Sequence, residues 1–259
     1  PPIRLVGLGG GLTYLPPSFA FTSVLLSRSQ HLDMLGMVSA HDYSVVADYT
    51  VASLESVFHQ IDHFVERLRE AVDVKNKLAP HVKAIVDEFG TNFHGCGTDE
   101  CQGYPQPGSK LDRRFQSLAA AAFAYGWAQF GRNGADSVGC SQYNGYFASP
   151  QNPLYLKNEF GEATLTDTYY PALSMYDYRS GLPQPRYWAM RMLHEELTVP
   201  GCRPVITHCN ATGLLAQGFV CGADSKLLLV SKTASTQSVS VEPYTPSSAL
   251  LVQRDGRAA

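Results

Sequence analysis

The chain has 259 residues, 44% hydrophobic, 17% charged and 11% aromatic, with 22 Gly and 16 Pro spread along it. That length can bury a sizeable core, and the composition excludes general disorder. A net charge of −3 lacks the basic footprint of a nucleic-acid binder, and no apolar run reaches the roughly 18 residues of a membrane span. Neither nucleic acid nor membrane is expected as a partner. The chain opens Pro1-Pro2-Ile3, without Met or a signal-peptide pattern, and is expected to be a piece of something longer.

Ile3 to Leu8 reads as a buried strand ending in a loop at Gly9-Gly10-Gly11. Leu32 to Ala40 is a second apolar run, ending in His41-Asp42-Tyr43. Leu54, Val57, Phe58, Ile61, Val65, Leu68 and Val72 recur at three and four, which predicts an amphipathic helix of about five turns. Val82 to Val86 is a third strand, running into Asp87-Glu88-Phe89-Gly90. A long loop over 91–110 precedes a second helix, traced by Leu111, Phe115, Leu118, Ala119, Ala122, Phe123 and Trp127 and ended near Gly131 and Gly134. Ser137 to Gln142 is a fourth strand candidate. A polar and aromatic loop runs from there to about residue 184. Pro185 stands where a first helical residue is expected, with Arg186 to Leu197 forming the third helix.

This order is the signature of parallel βα units. From about residue 203 the pattern changes to short β runs, at 214–220, 226–232, 238–244 and 248–253, divided by Gly, Asp, Ser and Pro. The expected organisation is therefore an α/β unit over 1–200 and a small all-β sandwich module over 203–259.

Six cysteines (Cys96, Cys101, Cys140, Cys202, Cys209, Cys221) and the sequon Asn210-Ala211-Thr212 lean towards an extracellular or secretory-pathway protein. Sequence does not give their pairing. His94, Cys96 and Cys101 fall close together, but zinc sites want a second pair at defined spacing and none is obvious. A Cys96–Cys101 loop disulfide is expected in place of a metal. Gly7, Gly9, Gly10 and Gly11 lack the dinucleotide fingerprint, so a tight turn accounts for them.

In parallel βα architectures functional side chains collect at the C-terminal ends of strands. There stand His41, Asp42 and Tyr43 after the second strand, Asp87 and Glu88 after the third, and Gln142, Tyr143 and Asn144 after the fourth. Strict alternation sends Asp87 and Glu88 to opposite sides, so only one can face the centre.

The segment Ala84-Ile85-Val86-Asp87-Glu88-Phe89-Gly90 resembles the seventh strand of clan A TIM-barrel glycoside hydrolases, where the Glu is the nucleophile. Val38-Ser39-Ala40-His41-Asp42-Tyr43 resembles the sixth-strand end of family 39-like members, and Gly139 to Tyr146 their eighth strand. Ser180 to Leu193 resembles their closing helix, and the tail from Ala216 to Lys232 their C-terminal β-sandwich. The resemblance implies the second half, strands five to eight, of a (β/α)8 barrel with a small sandwich appended, and the chain is expected to be a fragment. It implies a carbohydrate substrate, no cofactor and no metal.

On that resemblance Glu88 is the catalytic nucleophile of a retaining hydrolase. His41, Tyr43, Gln142, Tyr143 and Asn144 contact the sugar. An ionised Glu88, held by donors such as His41 or Tyr43, would form a glycosyl-enzyme intermediate. The fourth-strand Asn-Glu pair that carries the acid/base has no counterpart, so that group is expected from the missing N-terminal half of the barrel. The competing expectations are a non-catalytic carbohydrate-binding or decayed glycosidase-like protein, and a metal-dependent hydrolase around His94 and Cys96.

Overall fold

The computed structural model describes residues 5–11, 26–28, 32–46, 50–93, 113–140, 175–177 and 182–241. Among these, strands β1 (Leu5–Gly11), β2 (Leu35–Val46), β3 (Lys83–Phe93) and β4 (Ser137–Val138) form a parallel sheet in the order β1-β2-β3-β4. Helix α1 (Val51–Leu78) joins β2 to β3, and α2 (Arg113–Arg132) joins β3 to β4. A short antiparallel pair, β5 (Tyr176–Asp177) and β6 (Leu182–Pro183), precedes α3 (Pro185–Met192), which continues as a π-helical turn over Leu193–Leu197. Strands β7 (Cys202–Val205), β8 (Leu214–Cys221) and β9 (Asp224–Ser231) make a separate antiparallel sheet.

Several boundaries differ from the expectations. The glycines at 9–11 lie within β1, paired with Ser39, Ala40 and His41, and do not form a loop. Strand β2 runs through His41, Asp42 and Tyr43 to Val46, and β3 runs on to Phe93. Parallel backbone bonding continues between these two strands whatever side chains they carry. The first helix is 28 residues long, well beyond five turns, because Thr50 caps it by accepting from Ser53 N at 3.2 Å and nothing breaks it before Ala79. The fourth strand is only Ser137–Val138, and 141–142 lie outside the described residues. Residues 232–241 have no strand, so the run expected from 238 is absent as far as 241, and 242–259 lie outside the described residues. Strand β7, which carries Pro204, was not expected at all.

The predicted apolar stripe does go inward. Val57, Phe58, Ile61, Val65, Leu68 and Val72 of α1 pack with Val86 and Phe89 of β3 and with Ala122, Phe123 and Phe130 of α2. Phe89 stacks on Phe123, with centroids 5.9 Å apart, and meets Phe130 edge-on at 4.9 Å. Leu215 and Phe219 of β8 and Leu228 and Val230 of β9 join the same core. Trp127 of α2 stacks on Phe219 at 6.0 Å. Cys202 and Cys221, register partners on β7 and β8, are disulfide-bonded, while Cys209 is a free thiol. Cys96 and Cys101 lie outside the described residues.

Candidate active site at the strand ends

Two faces of the parallel sheet diverge at the ends of β2 and β3. Neighbours in a parallel register share a face. Asp42 pairs with Phe89 and Ser44 with Thr91, and all four are buried on the helix side with the aromatic core. His41 pairs with Glu88 and Tyr43 with Gly90, which puts His41, Tyr43 and Glu88 on the opposite face. His41 and Tyr43 are half-buried there and Glu88 is exposed.

A β-bulge makes this arrangement. Ala40 pairs with Val86, but the next residue on β2, His41, pairs with Glu88, leaving Asp87 as the extra residue. Val86 and Phe89 both enter the helix-side core, so unbroken alternation after Val86 would have sent Glu88 there too. The expected exclusion of one carboxylate by its neighbour is therefore corrected. With the bulge, Glu88 turns to the open face, and Asp87 stays near β2 with Oδ1 3.9 Å from His41 Nδ1. Gly139 N donates to Val86 O at 2.7 Å, and a Cβ at Gly139 would lie 2.3 Å from Asp87 O. Only glycine lets the backbone after β4 approach the bulge this closely.

The Tyr43 hydroxyl donates to Glu88 Oε2. These residues are diagonal across the strands, two positions apart in register, and both side chains are long enough to meet. The His41 and Tyr43 rings pack edge-to-face, 6.1 Å between centroids. Glu88 thus has an oriented carboxylate on an open face, beside an aromatic wall. His41 attends Asp87, not Glu88. Gln142, Tyr143 and Asn144 lie outside the described residues, as do His94 and Cys96. Among the described residues no three His, Cys, Asp or Glu side chains are grouped to hold a metal ion.

Two charged groups missed by the sequence reading sit close by. Burial pushes Asp42 up to about 7, against the opposing charge of Arg67 on α1. Arg186, at the start of α3, is fully buried near Tyr43 and Cys140, and burial pulls it below the ordinary arginine range. Among the described residues its Nε, Nη1 and Nη2 have no hydrogen-bond partner. Burial raises the Cys140 thiol, with Arg186 opposing. Position in the sequence, two residues into a helix led by Pro185, gave no sign that Arg186 turns inward.

No family profile matches the sequence, and no curated protein sequence is similar to it. Solved structures are similar in fold. A family 51 α-L-arabinofuranosidase from Bifidobacterium longum superposes with a TM-score of 0.56 at 13% identity, over 90% of this chain and 45% of that one. At that identity the likeness is one of fold alone. The chain spans less than half the length of that arabinofuranosidase. A family 5 mannosidase from Rhizomucor miehei (12% identity, 54% of this chain, 32% of that one) reaches a TM-score of only 0.30. An FMN-binding β-glucuronidase from Facaelibacterium prausnitzii (6% identity, 77% and 47%) reaches 0.23. Neither of these two carries an argument.

Proposed function

We propose that this chain is part of a retaining, family 39-like glycoside hydrolase and that Glu88 is its nucleophile. The observation that carries the reading is the bulge at Asp87, which brings Glu88 out of the core and under the Tyr43 hydroxyl. In the reaction a Glu88 carboxylate oxygen bonds to the anomeric carbon as the glycosidic bond breaks. An acid roughly 5–5.5 Å away protonates the departing oxygen, then removes a proton from the water that cleaves the intermediate. His41 and Tyr43 form the apolar wall for a sugar face, and Gln142, Tyr143 and Asn144 complete the subsite.

The acid/base belongs, on this reading, to barrel strands outside this chain. The chain is then strands five to eight of the barrel over 1–200, with a sandwich module over 203–259. The disulfide between Cys202 and Cys221 and the exposed Asn210 of the sequon support a secretory or extracellular location.

In the complete protein, Glu88→Gln lowers aryl-glycoside turnover by about four orders of magnitude with unchanged circular dichroism. A 2-deoxy-2-fluoro glycoside adds its sugar mass to the peptide carrying Glu88. Near-normal turnover in the variant, or label on another residue, refutes the assignment. The absence of a second carboxylate across from Glu88 in the described residues favours one rival, a non-catalytic carbohydrate binder. That rival predicts glycan binding without turnover or label in the complete protein.

A further inference from the structure

A cavity of about 340 Å³ lies between α2 and the antiparallel sheet, remote from Glu88. Helix α2 returns from the end of β3 to the start of β4, where Asp136 N donates to Ala84 O at 2.7 Å. Arg132, its last residue, therefore sits at the end of the sheet opposite the candidate active site. The cavity is lined by Tyr125, Gln129, Arg132, His208, Cys209 and Lys232, among others, and among the described residues no carboxylate lines it.

Its cations are incompletely satisfied. Arg132 donates through Nε to Gln217 Oε1 and through Nη2 to Ala216 O, which fixes the guanidinium and leaves Nη1 over. Lys232 Nζ rests 5.3 Å from the centroid of the buried Tyr125 ring. Among the described residues, nothing hydrogen-bonds or ion-pairs with Lys232 Nζ, the His208 ring or Arg132 Nη1. Asp62 Oδ1, which touches the lining residues Tyr125 and Gln129, accepts from the Tyr125 hydroxyl and from Gln129 Nε2 at 3.4 Å. A cation on an aromatic face is held more weakly than one in a charge-assisted hydrogen bond. An arriving oxyanion therefore improves the position of each cation.

We propose that this cavity binds a small acidic sugar, its carboxylate, sulfate or phosphate group held by Lys232 and Arg132. The volume lies in the range of small-ligand sites. The exposed His208 ring and the Gln129 amide oxygen, for which no hydrogen bond is seen among the described residues, suit a polyhydroxylated body.

Cys209 offers a direct readout, because it lines the cavity as an exposed free thiol. The test is its rate of alkylation by iodoacetamide in the full chain, at constant ionic strength. Glucuronate, sodium sulfate and sodium phosphate are compared with glucose and sodium chloride. Saturable slowing by glucuronate alone assigns a carboxylated sugar. Stronger slowing by sulfate or phosphate assigns the esterified kind. Lys232→Met raises the half-protecting concentration about tenfold, and Lys232→Arg restores it. A thermal melt confirms that both variants fold. Equal protection by chloride, no protection by any of the three anions, or protection unchanged in Lys232→Met overturns the proposal.

Discussion

In the antiparallel sheet the polar side chains close on one another. Gln217, almost fully buried, accepts from Arg132 and donates to Val205 O at 2.9 Å and Gly218 O at 2.8 Å. Thr207 Oγ1 accepts from Gly218 N at 2.7 Å, and Lys226 holds Glu196 at 2.6 Å. At the ends of β2 and β3, and at the start of α3, the opposite holds. Asp42 Oδ2, Ser44 Oγ, Asp87 Oδ1, Thr91 Oγ1 and three nitrogens of Arg186 are buried without hydrogen-bond partners among the described residues. Every buried side-chain atom of this kind belongs to the parallel sheet or to α3, none to β7–β9. Such groups are costly to bury alone. Among the described residues, the buried polar side chains of β7–β9 are paired, whereas those of the parallel sheet and α3 include the unpaired ones.

The largest effect expected from that contrast is at Asp42. Its folded-state value is about 7 against an ordinary 3.8, so between these values the folded chain holds a proton that the unfolded chain has lost. Stability from this group is fully present below about pH 3.8 and is lost as pH rises through about 7. The rise corresponds to about 4 kcal/mol. Asp42→Asn should therefore be stabilised over the parent by about that much at pH 8, with little difference near pH 4. Urea unfolding of both proteins at the two pH values checks this. An equal difference at both would mean that Asp42 is not carrying the titration.

Arg186 comes next. Removing a buried charge that has no hydrogen-bond partner among the described residues recovers part of its desolvation cost, so Arg186→Met should raise the stability of this chain by about 3 kcal/mol. Denaturant midpoints measure it. A loss of stability would show that the guanidinium already has an anionic partner, and the contrast between the two regions would fail at its centre.

How legible was this from the sequence? The α1 stripe from Leu54 to Val72 was plain, because burial imposes the helical period on side chains. Glu88, His41 and Tyr43 were singled out because the apolar runs stop there; the strands run on past them, and the structure brings Tyr43 to Glu88. What places Glu88 on the open face was invisible. A bulge is a backbone register event, and alternation alone gave the wrong geometry for Asp87 and Glu88. The Cys202–Cys221 pairing follows from the β7–β8 register, which Pro204 disguises in a strand too short to read. Arg186 and Asp42 were illegible for a shared reason: charged residues are expected at the surface, and only tertiary contacts say otherwise.

The smallest effect provides the control, and its sign is opposite to that at Arg186. Lys226 Nζ donates to Glu196 Oε2 at 2.6 Å and to Glu196 O at 2.9 Å, tying β9 to the π-helical turn. Its side chain is 29% exposed and that of Glu196 47%, so solvent screens the pair, although the carbonyl bond adds to it. Lys226→Met should cost about 1 kcal/mol at low salt and less at 1 M NaCl. Removing a cation thus weakens the fold where partners are in place and strengthens it where they are missing. Were both Lys226→Met and Arg186→Met destabilising to the same degree, the two regions would be equally well paired and the contrast between them would fail.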